Sequence, residues 1–160
     1  MQYTLYYFFM CEKFWGRAIG PVLTLNAAGK KLGVDYEIRD LNEVPAGKGV
    51  GFPQVTLSNG LTIGQTATVC GVLGDEFGLS GKTPEAKILC RQYLEDLNDV
   101  FSTAQSGKMA EDPDKHAAKW FSLLETRLEG NSFFLGEEPS VVDFHGVFAM
   151  LWVEKCYLQK

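Results

Sequence analysis

Along the chain the apolar positions follow first a strand pattern, then a helical one, and the alternation repeats through the first half. Residues 3–8, YTLYYF, carry aromatic and leucine side chains that pack well on a pleated surface, so a strand is expected there. From about Trp15 the period changes: Ala18, Val22, Leu25 and Ala28 recur at helical spacing, and Gly29 and Gly33 bracket the expected end. Pro21 inside this segment implies either a kink or a late helix start. VDYEIRDL (34–41) alternates as a strand should, and 42–51, with Pro45, Gly47, Gly49 and Gly51, reads as a loop. PQVTL and LTI are two short strands joined by Ser58-Asn59-Gly60, a strong hairpin signal. A helix follows, with Val69, Val72 and Leu73 on one face.

The pattern shifts at SGKTPEAK (80–87). Thr83-Pro84-Glu85 combines an N-cap, a proline at the first helical position and an acid in the first turn. Everything beyond reads as helix, roughly 84–104, 113–129 and 141–157, the last opened by Ser140 with Asp143 three residues on. The expectation is an α/β thioredoxin-like domain over 1–80, built on a mixed four-stranded sheet, and an all-helical domain over 81–160.

Composition narrows the setting. The 160 residues are 46% hydrophobic and 22% charged, as in ordinary globular chains, and the net charge of −5 argues against nucleic acid or an anionic membrane as partner. An uninterrupted apolar span is absent, and Glu12 and Lys13 break the N-terminal apolar run, so neither a membrane span nor a secretory signal is expected. Cys11, Cys70, Cys90 and Cys156 are far apart, with no metal-site spacing; free thiols in a reducing, cytoplasmic setting and no bound metal are the expectation.

Three places carry candidate chemistry. Pro53, preceded by Phe52, opens the hairpin; if their bond is cis, the adjoining backbone can pair with a bound peptide, and if trans it merely starts an edge strand. Gly64-Gln65-Thr66 opens a helix whose N-terminus suits a carboxylate, although Thr66 as a simple cap fits equally. The first strand delivers Tyr7 on one face and Tyr6 on the other, with Cys11 just beyond. Phe14 and Trp15 suit either packing or a pocket wall, His116 and His145 lack a paired ligand, and Cys70, Cys90 and Cys156 fit packed thiols.

LYYF (5–8), GRA (16–18), DYEIRD (35–40), FPQVT (52–56), GQTATVCGVLGDEFGL (64–79) and PSVVDFHGVFA (139–149) together resemble a glutathione S-transferase, nearest the sigma-like, tyrosine-type class. The resemblance spans essentially the whole chain. It implies a homodimer with a detoxification role, using glutathione as co-substrate and conjugating its thiolate to small electrophiles. Tyr7 would donate a hydrogen bond from its hydroxyl to the glutathione sulfur, and Arg17 would add positive potential. Phe52, before Pro53, would pair with the cysteinyl part, and Gln65 and Thr66 would hold the γ-glutamyl carboxylate. Asp99, or else Asp96, would reach the glutamyl amine of the partner subunit's ligand.

Two departures stand out: the 42–51 loop has no Trp, with Lys48 displaced from the family's lysine position, and the helical region is short for the family. Cys11 offers a rival, since omega-like relatives and glutaredoxins use a cysteine at that turn for thiol transfer. Here Glu12, not Pro, follows the thiol, and an adjacent carboxylate raises a thiol pKa; together with GRA this favours Tyr7. A non-catalytic assembly module built on the same fold is the remaining alternative.

Overall fold

The computed structural model describes residues 2–8, 16–46 and 51–158. Strand β1 (Tyr3–Tyr7) lies parallel to β2 (Tyr36–Asp40) and antiparallel to β3 (Gln54–Thr56), which pairs antiparallel with β4 (Thr62–Gly64). The order β2-β1-β3-β4 puts β1 in the interior of the mixed sheet, with Leu5 opposite both Ile38 and Val55. Strand alternation turns Tyr3, Leu5 and Tyr7 into one apolar cluster with Leu25, Val69 and Leu73, while Tyr6 is buried on the other face. Burial of side chains such as Leu5 and Leu25 supplies about 1.5–3 kcal/mol each.

Gly16–Ala18 forms a 3-10 turn that feeds α1 (Ile19–Ala27). Pro21 is the third residue of α1, where no intrahelical N–H is needed, so the late start is what occurs. The loop expected after β2 opens with a short 3-10 turn, Leu41–Glu43, because Asp40 and Glu43 cap it reciprocally: the Asn42 N–H donates to Asp40 Oδ1 (2.9 Å) and the Asp40 N–H to Glu43 Oε1 (3.3 Å). The hairpin turn closes through the Leu57 N–H to the Leu61 carbonyl (2.9 Å), with the Asn59 side chain accepting from the Leu61 N–H.

Helix α2 (Thr66–Glu76) straddles two clusters, sending Val69 and Leu73 to the sheet and Ala67 and Cys70 to the helices beyond. Those are α3 (Pro84–Gln105), α4 (Lys108–Glu111), α5 (Ala117–Leu128) and α6 (Val141–Val153). Thr83 caps α3 by accepting from the Ala86 N–H (3.1 Å). The helix expected over 113–129 begins only at Ala117, because Asp112 turns its side chain back to the Lys115 N–H (3.1 Å) and Pro113 follows it. The last helix ends at Val153 and widens into a π-helical turn, Glu154–Leu158. Among the described residues no helix is long and apolar enough to cross a membrane.

Helix α6 packs on α1, α2 and α3, so it joins the sheet-bearing half to the helical half. At this junction a Cβ on Gly20 would lie 2.9 Å from Cys70 Sγ and 3.3 Å from His145 Nδ1, a closeness that only glycine permits. His145 is fully buried, and among the described residues neither ring nitrogen has a hydrogen-bond partner. Burial, reinforced by the Arg17 charge, pushes its pKa down to about 4, so the ring is neutral at neutral pH. Cys70 and Cys90 are both fully buried, and burial raises both thiols, that of Cys90 to about 11.

Candidate active site

Tyr7 ends β1, and its hydroxyl meets the turn that starts α1: the Arg17 backbone N–H donates to Tyr7 Oη at 3.0 Å. Burial raises the phenol pKa, the Arg17 N–H and charge opposing it, so the hydroxyl keeps its proton at neutral pH. Since the oxygen already accepts from Arg17, its own proton is directed to something else. The Arg17 guanidinium runs the other way, to α3, where it sits over the Phe101 ring (3.9 Å) and donates to Asn98 Oδ1 (3.3 Å). Burial lowers its pKa and Tyr7 counteracts this, but a guanidinium remains cationic.

Tyr7, Phe8, Gly16, Arg17 and Phe52 form one side of a cleft of about 310 Å³. Phe101 and Gln105 from α3, with Phe148 and Trp152 from α6, form the other. Of the residues expected from the sequence, the cleft therefore brings together Tyr7, Arg17 and Phe52. Its helical wall was not foreseen, although Phe101/Gln105 and Phe148/Trp152 each sit four residues apart, the spacing that puts two side chains on one helix face.

The Phe52-Pro53 bond is cis, the first of the two geometries left open by the sequence, and Pro53 is buried at the start of the hairpin. Gln65 holds φ at +73°, unusual for a residue with a side chain, and its amide lies over Gly51, where a Cβ would fall 2.3 Å from Gln65 Nε2. Thr66 does not cap α2; it is the first helical residue, and among the described residues its buried hydroxyl has no hydrogen-bond partner. An orphaned buried hydroxyl beside free helix N–H groups suits an incoming carboxylate.

Asp99 is exposed on α3, whereas Asp96 is held within the chain by Arg127 of α5, whose guanidinium also stacks on Tyr93 (4.0 Å). Cys11, Phe14, Trp15 and Lys48 lie outside the described residues. Among the described residues no cluster of three or more His, Cys, Asp or Glu could hold a metal ion.

Residues 73–159, more than half of the chain, match the family described as glutathione S-transferase, C-terminal domain. The chain belongs to this family. Solved glutathione S-transferases share its fold. That of Ascaris lumbricoides is 22% identical, with a TM-score of 0.75 over 98% of this chain and 82% of its own. The sigma class enzyme of Fasciola hepatica is 19% identical, with a TM-score of 0.74 over 98% of this chain and 81% of its own. A monomeric glutathione S-transferase of Necator americanus is 19% identical, with a TM-score of 0.60 over 97% and 91%. No curated protein matches the sequence. At such identities the likeness establishes the glutathione S-transferase fold, thioredoxin-like in its sheet-bearing part, and membership of the family supports a glutathione transferase function.

Proposed function

We propose that the protein is a glutathione transferase of the tyrosine, sigma-like type, with Tyr7 holding the glutathione sulfur as thiolate. The observation that carries this reading is the contact between the Arg17 N–H and Tyr7 Oη, which leaves the phenolic proton free for the sulfur. A free thiol with a pKa of about 8.5 is only slightly ionised at neutral pH. Donation from Tyr7, with the Arg17 charge in the same cleft, favours the anion, and a shift of about two pKa units corresponds to roughly 2.7 kcal/mol. Tyr7 stays protonated throughout and is not a base.

Glutathione would lie along the β3 end of the sheet. Its cysteinyl backbone would pair at Phe52, beside the cis Pro53, and its glutamyl carboxylate would meet Gln65, Thr66 and the α2 N-terminus. The reaction is attack of the thiolate on a small electrophile. With an aryl halide the S–C bond forms, the C–halogen bond breaks, the halide leaves with its electron pair, and the thiol proton passes to solvent. We assign residues 1–80 to the glutathione-binding domain and 81–160 to the helical one. A cytoplasmic homodimer is part of the same reading, with Asp99 rather than the Arg127-bound Asp96 reaching across it. A monomeric mass in solution would remove that role.

The test is retention on immobilised glutathione and turnover of a chromogenic aryl halide. Tyr7→Phe is expected to lower turnover roughly ten- to hundredfold, the worth of a hydrogen bond to a charged group. Failure of the wild type to bind or turn over would overturn the reading. Loss of activity in Cys11→Ser but not in Tyr7→Phe would replace it with thiol transfer.

A further inference from the structure

The Arg17 side chain turns away from the Tyr7 hydroxyl, which its backbone serves, and settles on the helical wall of the cleft. There it donates to the neutral Asn98, and among the described residues no carboxylate pairs with it. A half-buried cation with no counter-ion among the described residues, in a cleft whose walls are mostly aromatic, is an anion receptor built on an apolar floor. That floor is continuous: the Phe101 and Phe148 rings lie 4.8 Å apart, and Trp152 lies 5.4 Å from Phe101 and 6.0 Å from Phe148. Beyond the lining residues, Lys155 Nζ stands 4.9 Å from the Trp152 ring, on the exposed terminal turn.

Resting on the glutathione transferase reading, we propose that this cleft selects aromatic electrophiles bearing an acid group. The ring packs on Phe101, Phe148 and Trp152, and the carboxylate pairs with the Arg17 guanidinium. The sulfur attacks from the opposite side, where Tyr7 holds it. Arg17 is thereby a specificity-determining residue as well as a source of positive potential.

The test compares para-chloro-meta-nitrobenzoate with the matching benzamide, which differ in charge but hardly in shape. Each kcat/KM is divided by the uncatalysed second-order rate constant with glutathione at the same pH, which removes the difference in intrinsic reactivity. The acid is expected to be accelerated about tenfold more than the amide, as for a charge-assisted hydrogen bond. Arg17→Gln should bring that ratio close to one whatever it does to the common rate, and Arg17→Lys should restore part of it. Lys155→Gln, on the exposed terminal turn, should reduce the ratio by only about twofold, as for a solvent-screened charge. Inhibition of the wild type by the unreactive pair, with methyl in place of chlorine, reads the same preference without any variant. Tyr7-dependent turnover of the amide with no preference for the acid would overturn this inference and leave the parent reading standing. A preference untouched by Arg17→Gln would also overturn it; turnover of the chromogenic aryl halide with none of either benzoic compound and no preferential inhibition by the acid would overturn it alone, and no turnover of any of the three would overturn both.

Discussion

At the scale of single residues, the chemistry depends on what each polar atom has for a partner. The position of Tyr7 at the cleft was legible because strand alternation separates it from Tyr6 and because GRA follows. The route of the Arg17 side chain was not, since its resting place, Phe101, lies far along the chain in another helix. His145 was equally opaque. A histidine in an apolar helix reads as core or surface, and only the packing of α1 against α6 shows both ring nitrogens sealed with no partner among the described residues. With its folded pKa near 4 and an unfolded value of about 6.5, its effect on stability has a definite sign. Above about pH 6.5 both states are neutral and stability is full; as pH falls below that, only the unfolded state gains the proton, and stability drops until about pH 4. Between about pH 7.5 and pH 5 the wild type is expected to lose roughly 2 kcal/mol more than His145→Leu, measured by urea unfolding at both pH values. Equal losses in the two proteins would show that the ring carries no such penalty.

At the scale of elements, the sequence was most informative where a side chain closes its own local structure. The Thr83 cap, the Asn59 turn and the Ser140–Asp143 pairing all act over two or three residues, which sequence spacing displays directly. It was least informative where a competing local bond moves a boundary, as Asp112 does ahead of α5. The Asp143 carboxylate accepts from the Ser140 N–H (2.8 Å), the Ser140 hydroxyl (2.6 Å) and the Phe134 N–H (3.0 Å). It therefore fixes both the start of α6 and the segment before it. Asp143→Ala strands all three donors and is expected to cost about 2–3 kcal/mol, with Asp143→Asn recovering about half. The check is a lower urea midpoint at unchanged m-value; a stability loss under about 0.5 kcal/mol would mean that water replaces the carboxylate.

At the scale of the whole molecule, the site exists because α6 ties a glutathione-transferase sheet to its helices. Tyr7, at the end of an interior strand, and Phe148 and Trp152, on α6, reach one cleft only through that packing. The order of strands and helices was readable because each element carries its own period. The cleft's far wall was not, because it depends on how α3 and α6 turn relative to the sheet. The same geometry makes the central claim measurable in the ultraviolet, where the thiolate of bound glutathione absorbs and the thiol does not. In a pH titration of the wild-type complex, that absorbance should rise about two units below the ordinary thiol value of about 8.5. In Tyr7→Phe it should return most of the way to that value, with glutathione still bound. A bound thiol that ionises at the same pH in both proteins would contradict the assignment of Tyr7.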